Sequence, residues 1–215
     1  MNKLQKLGGA AAITEAAIYL FAFIIFGAII NYPVAGADTS EILAHLADNQ
    51  LLMTITNLII YVLFGIVLSV LVLAIYERTK AQHITSRLAA VFGFIWVTII
   101  IATGMTANIG LSTVITTGAE NPDQAMTLWK MVNVMVEALG GGNEIVGALW
   151  VMLLSIAGLK SNAWSKPLSY LGMLVGVFGM CTIFPTDIFA MLFGVTQIVW
   201  FMWVGIAMIR SNDNS

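Results

Sequence analysis

Six long apolar runs, spaced along the whole chain, constrain this sequence more than any other feature. They cover roughly residues 9–31, 52–76, 88–111, 143–159, 168–184 and 188–209, the fourth and fifth being the shortest. About 20 apolar residues in a helix cross the hydrocarbon of a bilayer. Of 215 residues, 60% are apolar and 9% charged, against roughly 45–50% and 25% in soluble domains. Lipid must cover such a surface, and in lipid only helices and closed barrels satisfy their own backbone. The expected fold is all-α, a single transmembrane domain over 1–215 with six membrane-crossing helices. The lipid bilayer is its first partner.

The start of the chain has features of a secretory signal. Lys3 and Lys6 precede an apolar run that ends near Val34-Ala35-Gly36-Ala37. That run, 7–30, is 24 residues long and contains Glu15. A signal core is shorter, about 7–15 residues, so the run reads as the first span.

Charge sets the direction. Lys3, Lys6, Arg78, Lys80, Arg87, Lys160, Lys166 and Arg210, eight of the nine basic residues, fall on one side of the six spans. Only Lys130 falls on the other, with Asp38, Glu41, Asp48, Glu120, Asp123, Glu137 and Asp187. The positive-inside rule makes the basic side cytoplasmic. Both termini are then inside a bacterial plasma (inner) membrane, with outer connections near 33–50, 112–142 and 185–187. A net charge of −2 without a basic patch argues against nucleic acid as a partner. A single cysteine, Cys181, allows no internal disulfide.

Two outer connections carry helix-start signals. Asp38-Thr39-Ser40-Glu41 reads as a capping box before Ile42, Leu43 and Leu46. Asn121-Pro122-Asp123 reads as a capping Asn with proline in the first turn. Thr127, Lys130, Asn133 and Glu137 then recur at helical spacing. An extra amphipathic helix over 122–139, broken from span four by Gly140-Gly141-Gly142, is expected. Its stripe faces water at the interface, or else a cavity, with the glycines as a hinge.

A weak three-fold repeat is also visible. Lys6-Leu7-Gly8, Arg87 up to Gly93 and Lys166 up to Gly172 open the odd spans. Asn57-Leu58-Ile59, Asn143-Glu144-Ile145 and Gln197-Ile198-Val199 mark the even ones. Three copies of one hairpin and the charge rule alone both explain this pattern.

Catalytic and metal signatures are missing. His45 and His83 lie on opposite sides of the membrane, and no GxSxG, HExxH or GxxxxGK[ST] motif occurs. The chain reads as no enzyme, with no metal and no cofactor. Its twelve methionines, Met131 and Met135 among them, are scattered gap-fillers rather than a copper site. Gly172, Gly176 and Gly179 form a small-residue face that serves bundle packing or a homo-oligomer contact. Trp150, Trp200 and Trp203 read as packing residues, and Trp164 as an inner-interface indole.

Polar residues inside the spans carry the functional signal, because they are costly in hydrocarbon and face partners or cavities. Measured from the basic side at about 1.5 Å per residue, Glu15 lies roughly 13 Å up, Gln197 roughly 20 Å and Glu144 roughly 24 Å. Asn57, Asn108 and Asp187 reach roughly 31 Å on the same rise. Glu144, Asn143, Gln197, Asn57 and Asn108 are the candidate ligand-binding set, with Glu144 central and within reach of Asn57 or Gln197. Glu15, alone in the inner half, is the secondary candidate.

The stretch from Asn143 to Trp150, then Leu168-Ser169-Tyr170-Leu171-Gly172, then Gln197-Ile198-Val199-Trp200-Phe201 with Gly205, resembles the bacterial membrane-protein family called domain of unknown function 4386. The stretch from Gly9 to Tyr19 is similar too. The resemblance covers nearly the whole chain. It implies a six-span prokaryotic membrane protein and supplies no activity, substrate or catalytic residue. Two functions are therefore expected from the residues. One is binding or transport of a small molecule or ion through an outward-facing polar pocket. The other is a non-catalytic accessory or sensor subunit acting through a membrane partner.

Overall fold

A computed structural model describes residues 3–34, 36–80, 83–184 and 186–210, with no strand among them. The elements in chain order are α1 (Lys3–Ile24), α2 (Thr39–Asp48), α3 (Gln50–Asn57), α4 (Phe64–Thr79), α5 (His83–Gly118), α6 (Pro122–Ser161), α7 (Lys166–Met180) and α8 (Asp187–Arg210). A π-helical segment, Ile25–Ile29, continues α1, and a second, Leu58–Leu63, joins α3 to α4 in one rod. Six helices are long and apolar enough to cross a membrane: Lys3–Ile29, Gln50–Thr79, Ile84–Gly118, Pro122–Ser161, Lys166–Ile183 and Asp187–Arg210. Each expected span falls within or against one of these.

The spans form a ring in chain order. Each packs chiefly on its neighbours in sequence, and α8 closes the ring against α1. Glycine makes the closest approach possible. A Cβ built on Gly9 would stand 2.8 Å from the Gly205 carbonyl oxygen, and one on Gly205 would stand 2.8 Å from the Gly9 oxygen. The two backbones touch, as small residues permit between membrane helices. The glycine face of α7 is used the same way within the bundle: Gly172 meets Ser155 and Trp200, Gly176 meets Met152, and Gly179 meets Ala148 and Phe193.

The two ends of the ring differ. At the basic end, side chains tie the turns down. Gln5 Nε2 donates to the Ala74 carbonyl at 2.7 Å and Ser86 Oγ to that of Thr79 at 2.6 Å. Arg78 donates to the Ala163 carbonyl at 3.1 Å and lies 4.6 Å from the centroid of the Trp164 ring. Trp164 is thus buried against Gly158 and beneath Arg78 rather than at an open interface. At mid-height an aromatic layer fills the ring. Phe64 meets Tyr19 at 5.5 Å and Trp96 at 5.6 Å, and Trp96 continues through Trp150 to Trp200. Trp203, by contrast, is exposed on the outside of the bundle.

At the acidic end α2, which starts after Asp38 as expected, caps a second small core. Asp38 makes no side-chain capping bond. Leu46 and Met53 pack there with Ile25, Leu111, Val114 and Ala125.

The expected break before span four is overturned. No separate outer helix ends at Gly140–Gly142. α6 runs unbroken from Pro122 to Ser161, so 122–139 and span four are one helix of 40 residues, roughly 60 Å long. Its start is as expected, with Asn121 Oδ1 accepting from the Gln124 N–H at 3.1 Å. The physical reason for continuity is α5, which lies along α6 on both sides of the glycines. Gly110 packs on Val132 before them, and Trp96 on Gly147 after them. Packing outweighs the cost of about 1 kcal/mol that each glycine carries relative to alanine.

Candidate functional site

Above the aromatic layer the ring is hollow. One cavity, about 550 Å³, has Tyr19 and Phe64 at its base and Phe26, Glu144 and Phe193 around it. A second, about 480 Å³, shares Tyr61 and Glu144 with the first and adds Glu137, Thr182 and Asp187. A third, about 410 Å³, runs beneath the α2 cap between Asn57, Tyr61 and Glu137. Tyr61 belongs to the wall of all three. Glu137 and Asp187, at the rim, are exposed, so the hollow reaches the surface at the acidic end.

Local backbone explains part of this opening. Both π segments border it, the first through Phe26 and Gly27, the second through Ile60 and Tyr61. A π turn adds a residue to the helical repeat and re-aims the side chains beyond it, a feature common at functional sites. Here it turns Tyr61 toward the hollow.

The expected ligand set divides. Glu144, half-buried, does stand in the wall of the main cavity, and its polar neighbour is Thr182. It is not joined to Asn57 or Gln197. Asn57, 9% exposed, donates from Nδ2 to Asn108 Oδ1 at 3.1 Å, and Asn108 donates to the Thr54 carbonyl at 3.3 Å. These two amides clamp α3 to α5. Asn57 borders only the third cavity, and Asn108 borders none of the three. Amides of equal height on facing helices satisfy each other before they serve a ligand. The side chain of Asn143 lies outside the described residues.

Gln197 and Glu15 lie below the hollow. Each is 0% exposed, and neither Gln197 amide atom nor either Glu15 oxygen has a hydrogen-bond partner. α1 and α8 run antiparallel, with Gly9 on Gly205 and Tyr19 and Phe23 beside Gly194. That register puts Glu15 and Gln197 at similar height, within about one turn, ~5 Å, along the helix axes. Tyr19, one turn above Glu15 on α1, borders the main cavity. A buried carboxyl without a partner costs stability. Glu15→Gln should therefore leave Tm in detergent unchanged or raise it. A clear fall would show that the carboxyl has a partner of its own.

No family model matches the chain, and no curated protein or solved structure matches it. The functional reading thus rests on the geometry alone.

Among the described residues, no three His, Cys, Asp or Glu side chains are placed to hold a metal ion together. The carboxylates are instead spread around the hollow. Sequence reasoning found Glu144 and, as part of a stripe, Glu137. It missed Tyr61 and Thr182, which sit in apolar runs without any pattern to mark them. The stripe itself is exposed, and its members Asn133 and Glu137 border the third cavity. Water and cavity are therefore served by the same face.

Proposed function

We propose that this chain is a bacterial plasma-membrane protein with both termini cytoplasmic. In this reading it binds, and passes across the membrane, a small solute or ion through a pocket facing the outer side, with no chemical conversion. Glu144 is the central charge. One observation carries the reading: three adjoining cavities at the acidic end share Tyr61, and Glu144 stands in the wall of the two larger. The aromatic layer beneath them makes the pocket one-sided in this state. Kinship with domain of unknown function 4386 belongs to the same proposal; its support is the residue resemblance and the six candidate spans that such a family requires.

Orientation is tested by thiol labelling of whole cells in a Cys181→Ser background. An impermeant reagent should modify a cysteine at Asp48 and spare one at Lys80. Labelling at Lys80 alone would turn the pocket toward the cytoplasm. Function is tested with solutes that raise Tm, since a ligand stabilises the state that binds it. Glu144→Gln should abolish that rise while the variant still inserts and folds. An undiminished rise, or a co-purifying membrane partner without any solute effect, would favour the accessory-subunit reading.

A further inference from the structure

The lining of the hollow narrows the chemistry of what fits it. The 550 Å³ cavity lies in the size range of small-molecule sites, about 300–1,000 Å³. Its wall carries six aromatic rings, those of Tyr19, Phe23, Phe26, Tyr61, Phe64 and Phe193, and a single carboxylate, Glu144. The adjoining cavity adds Glu137 and Asp187 toward the surface. Among the described residues, no lysine, arginine or histidine borders any of the three cavities.

Each alternative occupant meets a specific obstacle. An anion would face carboxylates and no cationic side chain, a like-charge juxtaposition that selects against it. A neutral apolar molecule would cover Glu144 and leave its charge with only the Thr182 hydroxyl beside it. A bare metal ion needs converging oxygens, and among the described residues no three His, Cys, Asp or Glu side chains are placed to share one. An ammonium group on an apolar body meets none of these. Its charge pairs with Glu144, its substituents lie against ring faces that attract cations, and its body fills the space between Phe23, Phe26 and Phe193.

We propose that the pocket binds an organic ammonium ion, with the charged nitrogen at Glu144, the apolar body in the aromatic lobe, and Glu137 and Asp187 gathering cations at the entrance. This rests on the outward-pocket reading above and deepens it.

Three water-soluble probes of one shape isolate the charge: benzyltrimethylammonium, the neutral benzyl methyl sulfone, and the anion phenylmethanesulfonate. Titration calorimetry on the purified wild-type protein should show benzyltrimethylammonium binding at least tenfold more tightly than the sulfone, and the sulfonate not at all. Glu144→Gln should weaken the ammonium at least tenfold and leave the sulfone unchanged. Glu120→Gln, away from the cavities, should change neither. Equal binding of ammonium and sulfone, tighter binding of the sulfonate, or no binding of the ammonium at millimolar concentration would overturn the proposal. The wild-type comparison decides the matter even if Glu144→Gln fails to fold. An ammonium that fails to bind while a Tyr61→Cys variant is modified from outside refutes the ligand class and leaves the pocket standing. A Tyr61→Cys variant that resists modification refutes both.

Discussion

Replacing Gly205 with leucine should remove most of the folded protein. α1 and α8 close the ring, and they do so backbone on backbone. The added Cβ would sit 2.8 Å from the Gly9 carbonyl oxygen and 2.8 Å from the Ile13 Cγ1. A flexible side chain can swing away from such a clash, but a carbonyl fixed in a helix cannot. Overpacking typically costs about 1–3 kcal/mol, and here the two helices must separate, which puts the cost at the upper end. At roughly 2–4 °C of Tm per kcal/mol for a chain of this size, a fall of about 10 °C is expected in detergent, with aggregated material on gel filtration. Gly27→Ala is the contrast, since nothing lies within 4 Å of a Cβ at Gly27, and its Tm should barely move. Similar Tm values for both variants would show that the α1–α8 contact does not hold the ring closed.

Phe64→Ala should be the second severe change. Phe64 is 1% exposed and stands where the aromatic layer meets the hollow, touching Tyr19, Trp96 and Phe201. Its loss removes ring contacts from three neighbours and leaves a void. Truncation of a buried phenylalanine to alanine costs about 3–5 kcal/mol in soluble cores. A comparable fall in Tm is expected, with Phe64→Leu losing less because it keeps most of the volume. The change also has a functional side, for the hollow then extends down toward Glu15. Thermal unfolding of the three proteins checks the order. A Phe64→Ala variant as stable as wild type would mean that the aromatic layer is loosely packed.

The spans were legible because two strong signals agree, apolar length and basic ends. The second expected span, 52–76, lies inside Gln50–Thr79 for that reason. α6 was not legible. Three consecutive glycines signal a break when only local propensity is weighed, and the packing of α5 on both sides of them is not written in the local sequence. The site was legible in height but not in direction. Counting residues put Asn57 and Asn108 at one level, and the structure pairs them. The same counting placed Gln197 near Glu144, yet Gln197 is fully buried and borders none of the three cavities, while Glu144 stands in the wall of two. Tyr61 owes its place to a π segment, and no residue pattern announces that.

The central claim is that water and solutes enter the hollow from the acidic, outer side and stop at the aromatic layer. It is tested most directly by cysteine accessibility in a Cys181→Ser background, on intact cells. A cysteine at Tyr61, on the shared wall of the three cavities, should react with an impermeant thiol reagent added outside, and a cysteine at Leu71, 0% exposed below the layer, should react only after unfolding. A Tyr61 cysteine that stays unmodified until the protein is unfolded, or a Leu71 cysteine as reactive as it, would contradict the account.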